Sequence, residues 1–225
     1  MEQPIVRSSV GITLVGGGAA RPEDLDESLA HAPCLVAADG GAGFVLSTGR
    51  VPEAVIGDMD SLRPEARERL PRERLHAITE QDSTDFDKAL RSVRAPLVLG
   101  VGFLGRRIDH LLANFNVLVR RATQPCVLVG KREVVLAAPR RISLELAPGS
   151  RVSLFPMASC AGRSVGLHWP IDGLEMTPAG VIGTSNRVAQ RHEGPVELSF
   201  EGSGMLLILP RKALSAVIDA LSSGA

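Results

Sequence analysis

Runs of four or five apolar residues alternate with amphipathic stretches through the first 130 positions. Residues 11–15 (GITLV) are almost continuously apolar and stop at Gly16-Gly17-Gly18. The spacing predicts a helix over 21–30, with Pro22 suited to its first turn. Residues 34–38 (CLVAA) form the next apolar run and stop at Asp39-Gly40-Gly41. A short helix over 42–48 follows, then a strand over 54–56 that ends at Gly57-Asp58-Met59-Asp60. The alternation goes on with a helix over 64–70, a strand over 75–78, a helix over 85–93 and a strand over 97–101. A longer helix over 108–121 should present Leu111, Leu112, Phe115, Leu118 and Val119 on its apolar face, and a strand over 126–130 closes the series. Strands that are apolar at every position are buried on both faces, and alternating with helices they predict a mainly parallel sheet with helices on both sides. Ligands of such sheets bind beyond the carboxyl ends of the strands. The loops rich in glycine and carboxylate all follow strands, so they are expected to converge on one edge.

Beyond about residue 132 the period changes. Short runs at 134–137, 142–146, 151–155, 181–183, 196–200 and 205–209 are separated by Pro148-Gly149, Gly194-Pro195 and Gly202-Ser203-Gly204. Such spacing is typical of antiparallel sandwiches or barrels. The expected fold is an α/β parallel-sheet N-terminal domain over 1–132 and an all-β sandwich C-terminal domain over 133–225, which ends in a helix over 212–221.

Composition narrows the class. The chain has 225 residues, 44% of them apolar and 22% charged, enough to build a core. Twenty-five basic residues balance twenty-five acidic ones, which argues against a nucleic-acid coat or a polybasic membrane binder. Cys34, Cys126 and Cys160 lie far apart, so neither a zinc site nor a disulfide framework is expected; Cys34 and Cys126 sit in apolar runs and read as core. The start of the chain lacks a signal-peptide pattern, and no stretch reaches roughly 18 apolar residues. A soluble cytoplasmic protein is the expectation.

Three segments carry candidate chemistry. Asp58 and Asp60 lie two apart at a strand exit, and in extended backbone they would point to one side. Two such carboxylates repel unless a cation joins them, although capping aspartates in a turn would look the same. Asp82-Ser83-Thr84-Asp85-Phe86-Asp87-Lys88 reads as a helix N-terminus rich in capping groups. Lys88 is one of only three lysines among the 25 basic residues, and it could pair with Asp85 one turn back. Gly100 to Asn114 joins three glycines to Arg106, Arg107 and Asp109 at a helix start, where anions are favoured. With Gly17 and the Asp39-Gly40-Gly41 turn, these loops fit a polyphosphate held by cationic groups and by Mg2+ bridged to carboxylates. The residues alone lead to a Mg2+-dependent nucleotide phosphotransferase or phosphohydrolase.

In order, ADGG (38–41), GDMDS (57–61), DSTDFDKAL (82–90), GRRIDHLLAN (105–114), GLHWP (166–170) and TSN (184–186) resemble the thiamine pyrophosphokinases. The resemblance implies an α/β catalytic domain followed by a thiamine-binding β-sandwich, a homodimer with active sites at the subunit interface, and partners limited to ATP and thiamine. The implied reaction moves pyrophosphate from ATP to the thiamine hydroxyl, giving thiamine diphosphate and AMP. Carried over residue by residue, Asp58, Asp60, Asp85 and Asp109 would serve the Mg2+ and phosphate site. Thr84, Lys88 and Arg107 would hold the polyphosphate. Asp39 with Gly17, Gly40 and Gly41 would shape the nucleotide pocket, and Trp169, Ser185 and Asn186 the thiamine pocket. A tryptophan face suits both the cationic thiazolium and the flat pyrimidine of thiamine. Two positions depart from the family pattern: Arg106 stands where a second glycine is usual, and Gly43 where asparagine is common. A Mg2+-dependent hydrolase that needs no thiamine, and a non-catalytic nucleotide- or thiamine-sensing module, are the alternatives.

Overall fold

The computed structural model describes residues 3–105 and 107–223. Arg106 therefore lies outside the described residues. The chain divides into two compact units, one running to Val117 and including Thr123–Gly130, the other made of Leu118–Ala122 and the chain from Lys131 onward.

In the first unit the elements follow as β1 (Val6–Arg7), β2 (Ile12–Val15), α1 (Pro22–His31), β3 (Cys34–Ala38), α2 (Gly41–Ser47), β4 (Ala54–Gly57), α3 (Pro64–Glu68), β5 (Leu75–Ala77), α4 (Asp85–Arg91), β6 (Val93–Arg94), β7 (Val98–Val101), α5 (Ile108–Arg120) and β8 (Cys126–Val129). Strand β2 pairs with β7 and β7 with β8, all parallel; β3 pairs with β4 and β4 with β5, also parallel. Strands β2 and β3 lie side by side. The chain thus leaves β2 to one side for β3, β4 and β5, and returns on the other side for β7 and β8. That reversal opens a crevice at the carboxyl ends of β2 and β7, where open α/β sheets bind ligands. Ile12, Leu14, Val36, Ile56, Leu99 and Leu128 are fully buried, as strands covered on both faces require. Val15, Leu25, Leu35, Val45, Leu46, Val55 and Leu70 form one core cluster between the strands and the helices α1 to α3.

Two local expectations fail for identifiable reasons. Residues 92–93 do not continue α4: its C-cap is Ser92, and Val93–Arg94 instead pair in parallel with Val6–Arg7. On α5, Leu112 is 58% exposed and Ile108 77% exposed, while Val117 and Leu118 are buried. Leu112 stands one residue, about 100°, off the i, i+4, i+7 row formed by Leu111, Phe115 and Leu118.

The second unit is antiparallel throughout its ladders. Strands β9 (Glu133–Ala137), β15 (Met205–Pro210) and β11 (Ser153–Pro156) form one set; β10 (Arg141–Leu144), β14 (Val196–Glu201), β12 (Cys160–Val165) and β13 (Glu175–Met176) form the other. Strands β10 and β14 bury every second residue, the mark of a sheet with one covered face. The run over 181–183 makes only isolated bridges, from Val181 to Met176 and from Gly183 to Leu154. Helix α6 (Leu214–Ser223) packs on β10 through buried Leu214 and Val217. No helix among the described residues is long and apolar enough to cross a membrane.

Candidate active site

Five strand-end loops of the first unit meet. The Gly18 amide donates to Gly102 O at 3.0 Å, which joins the loops after β2 and β7. A Cβ on Gly18 would lie 2.3 Å from that same oxygen, and one on Gly41 would lie 2.1 Å from Val15 O, so both contacts demand glycine. A Cβ on Gly17 would meet the Gly40 backbone at 3.6 Å, ordinary van der Waals contact. Phe103 packs on Phe86 with ring centroids 4.5 Å apart and the rings tilted by 42°, and its carbonyl accepts from the buried Asn114 side chain at 2.8 Å. Helix α5 thereby pins the glycine loop that precedes it.

The carboxylates gather beside this crevice. Asp39, Asp58 and Asp60 each offer an oxygen, and the three atoms lie within 4.8 Å of one another. Asp39 Oδ2 accepts from the Ser61 amide at 3.1 Å, while Asp39 Oδ1 is buried with no hydrogen-bond partner. Asp85 Oδ1 is likewise buried without a hydrogen-bond partner. Gly57 makes the approach possible: a Cβ there would meet Asp39 Cβ at 2.7 Å and Asp85 Oδ1 at 3.2 Å. The segment from Asp58 to Asp60 is not extended. Met59 has φ +68°, and the Asp60 amide turns back to donate to Asp58 Oδ1 at 3.3 Å. The two side chains share a side because of this turn and not because of strand alternation.

Lys88 is 1% exposed and donates to Asp58 Oδ2 at 2.8 Å; Asp85 lies 3.8 Å away. The i,i+3 pair with Asp85 is thus the longer of its two contacts, and the shorter one spans thirty residues of chain. Burial pulls the Lys88 pKa down, but the hydrogen bond to Asp58 and the charges of Asp58, Asp85 and Glu80 outweigh it, so the net shift is upward. The same hydrogen bond holds Asp58 below the usual carboxylate range. Asp39 moves up, chiefly through burial. Asp85 is pushed up to about 6 by burial and then by the charges of Asp39 and Asp58. Thr84 is the N-cap of α4, its hydroxyl accepting from the Asp87 amide at 3.3 Å. Glu80 accepts from Ser83, Arg91 and the Asp82 amide, a clamp on the loop ahead of α4 that the sequence did not single out.

Arg107 and Asp109 stand apart from that cluster in their partnering. They pair with each other, both about two-thirds exposed, and Asp109 is held down to about 2 mainly by the hydrogen bond from Arg107. Asp109 is not a member of the three-carboxylate group.

The second unit holds Trp169, Ser185 and Asn186 around one cavity of about 300 Å3, lined also by Pro170, Ile171, Leu174 and Met176. Asn186 is 4% exposed and clamps Trp169 by its backbone: Oδ1 accepts from the Trp169 amide at 3.2 Å, and Nδ2 donates to the Trp169 carbonyl at 2.7 Å. Oδ1 accepts also from the Arg187 amide at 2.8 Å. The Asn186 side chain thus lines the cavity and holds the main chain of Trp169 in place. Ser185 adopts φ +63°, its amide anchored on Ser153 Oγ at 3.0 Å. Asp39, Met59 and Ser185 are the non-glycine residues with positive φ among those described, and all three sit in these loops.

The thiamin pyrophosphokinase catalytic-domain model matches residues 25–129, and the thiamin pyrophosphokinase vitamin B1 binding-domain model matches residues 140–203. The chain belongs to the thiamin pyrophosphokinase family. It is 33% identical to thiamine pyrophosphokinase 1 of Oryza sativa subsp. japonica over 158 residues, 62% of this chain and 60% of that protein. It is 28% identical to thiamine pyrophosphokinase 2 of Arabidopsis thaliana over 194 residues, 71% of this chain and 73% of that protein. This chain therefore spans about three-fifths of the rice relative. Among solved structures, thiamin pyrophosphokinase from Geobacillus thermodenitrificans superposes with a TM-score of 0.71, covering 88% of this chain and 96% of that one at 24% identity. At that identity the superposition speaks for the fold alone.

Proposed function

We propose that this protein transfers the pyrophosphoryl group of ATP to the hydroxyl of thiamine, giving thiamine diphosphate and AMP. Residues 1–132 form its catalytic domain, and residues 133–225 a β-sandwich that binds thiamine. The supporting observation is the convergence of Asp39, Asp58, Asp60 and Asp85 with buried Lys88 at the strand-end crevice.

That donor set fits Mg2+. The ligands are hard carboxylate oxygens, three of them within 4.8 Å of one another, and two buried carboxylate oxygens have no hydrogen-bond partner. Asp39, Asp58 and Asp60 would hold the ion, with Asp85 beside them across Gly57. When bound, the ion neutralises phosphate oxygens and orients them for in-line displacement. Lys88 faces the same phosphates from the buried side, as a compact cation suited to anionic oxygens. Gly17, Gly40 and Gly41 let backbone approach the nucleotide closely, and Thr84 fixes the start of α4 at the polyphosphate. Arg107, oriented by Asp109, neutralises charge as the β-phosphorus is attacked. The thiamine hydroxyl forms the new O–P bond while the bond to the α-phosphate breaks and AMP leaves. Positioning and electrostatics carry most of such a step. Trp169, held by Asn186, and the Ser185 turn form the thiamine pocket. The protein acts in the cytoplasm as a homodimer with active sites at the subunit interface.

The test is direct. Purified protein with ATP, Mg2+ and thiamine should give AMP and thiamine diphosphate in equal amounts. AMP formed at the same rate without thiamine would make it a hydrolase, and thiamine binding without AMP would make it a sensor.

A further inference from the structure

Helix α4 carries Asp85 and Lys88 and is capped by Thr84, yet it is only 7 residues long. A helix that short has no stability of its own, so its place is set by what it is tied to. Phe86, Ala89 and Leu90 are buried and fix the face it turns to the core. Lys88 ties it to Asp58 at 2.8 Å. Its cap is slack, because the Asp87 amide reaches Thr84 Oγ1 at 3.3 Å, longer than an ordinary N–H···O bond. The preceding loop, over 78–84, is anchored by the main chain at its two ends. There the Ile78 amide donates to Gly57 O at 2.7 Å, and the Lys88 amide to Thr84 O at 2.9 Å. Between those ends the hold comes from Glu80. Its Oε2 accepts from the Asp82 amide at 2.8 Å, and its Oε1 accepts from Ser83 Oγ and, at 2.8 Å, from Arg91 Nη2. Arg91 is the last residue of α4, and its Nη1 donates to Ser83 Oγ at 3.4 Å. One carboxylate thus joins the loop before the helix to the helix's far end.

Stability does not account for this arrangement. Both partners of the Glu80–Arg91 pair are partly exposed, and such pairs contribute little. Arg91 Nε is moreover buried without a hydrogen-bond partner, which is unfavourable. What the pair supplies is geometry. We propose that Glu80 is a positioning residue of this site: by gathering the Asp82 amide, Ser83 and Arg91 onto one carboxylate, it fixes the first turn of α4 and so sets where Asp85 and Lys88 stand relative to Asp39, Asp58 and Asp60. The inference rests on the reading of that cluster as the Mg2+ and polyphosphate site. Glu80 itself touches neither; it acts through the helix.

Two readouts separate positioning from a merely structural role. Glu80→Ala should lower kcat by at least about tenfold and leave the KM for thiamine within about twofold, since a shift of about 1 Å in the reacting groups is worth on the order of a hundredfold. It should also weaken Mg2+ binding to the nucleotide-free protein severalfold, read by calorimetry. Glu80→Gln keeps one acceptor oxygen for Arg91 and Ser83 but loses the one that faces the Asp82 amide, so it should fall between wild type and Glu80→Ala in both readouts. Asp26→Ala breaks a comparable exposed pair, with Arg50 at 2.8 Å, and serves as the stability match. It should lower Tm about as much as Glu80→Ala and leave kcat and Mg2+ affinity unchanged. Glu80→Ala with kcat and Mg2+ affinity within about twofold of wild type overturns the inference, as does an equal loss of both in Asp26→Ala. Should Glu80→Ala fail to fold, a wild-type Mg2+ affinity and kcat in Glu80→Gln overturns it as well. The Mg2+ titration needs neither substrate, so a failure there is distinct from a failure of wild-type protein to make thiamine diphosphate.

Discussion

Gly57→Ala places a single methyl group between Asp39 and Asp85. Its Cβ would lie 2.7 Å from Asp39 Cβ, 3.3 Å from Asp39 Cα and 3.2 Å from Asp85 Oδ1. Carbon atoms pack at about 3.5–4.0 Å, so the neighbours must yield by about 1 Å. Asp39 has little freedom to do so. Its amide donates to Ile56 O at 3.0 Å, its Oδ2 accepts from the Ser61 amide, and its backbone already sits at φ +37°. Gly57 is fixed as well, since its carbonyl accepts from the Ile78 amide at 2.7 Å. Overpacking of this kind costs about 1–3 kcal/mol, which for a chain of this size lowers Tm by roughly 2–12 °C. A 1 Å displacement of catalytic groups costs on the order of a hundredfold in rate. Circular dichroism melts and a coupled assay of AMP release measure the two effects separately. Gly43→Ala is the stability control, because a Cβ there meets nothing within 4 Å and the site lies inside α2; it should gain about 0.5–1 kcal/mol. If Gly57→Ala turns over within threefold of wild type, the crowding of Asp39 and Asp85 around this glycine has no catalytic meaning.

Lys88→Met removes the cation that holds Asp58 and should destabilise the metal-free protein by about 3 kcal/mol in urea unfolding, with turnover falling at least a hundredfold; unchanged unfolding would show that the pair contributes nothing. Asp85 has a folded pKa of about 6, raised by burial and then by Asp39 and Asp58, so its contribution to stability is full below the unfolded carboxylate range and is lost as pH rises through about 6. Metal-free Tm should therefore decline from about pH 4 to about pH 6, Mg2+ affinity should rise as pH passes through about 6, and Asp85→Asn should flatten both trends; a variant that keeps the wild-type slopes refutes the assignment. Asn186→Ala strips the clamp from the Trp169 backbone and should cost about 1–3 kcal/mol and raise the KM for thiamine more than it lowers kcat, which steady-state kinetics will decide.

The strand-end loops were legible because a buried parallel strand has to be continuously apolar, and its exit has to carry the glycine or carboxylate that ends it. Strand β12 was not, since Cys160-Ala161-Gly162-Arg163-Ser164-Val165 is small and polar. Gly162 is there because a Cβ would come within 2.6 Å of Ser199 O, a cross-strand fact invisible along the chain. The pairing of Lys88 with Asp58 was equally hidden, as it joins helix α4 to the loop after β4 thirty residues away, whereas Asp85 was the neighbour that helical spacing offered. Asp39 read as part of a nucleotide turn, and its place with Asp58 and Asp60 follows from β3 and β4 lying adjacent in register. Asn186 was noticed for its polar side chain, but burial redirects that side chain to the main chain of Trp169.

The left-handed backbone at Met59 has an evolutionary corollary. A non-glycine residue there costs on the order of 1–3 kcal/mol, which glycine would recover. A library screened for heat tolerance alone should therefore enrich glycine at position 59. The recovered stability would come with a looser hinge between Asp58 and Asp60, so the hardiest clones should be among the slowest. Robustness and turnover would be traded at a single dihedral angle.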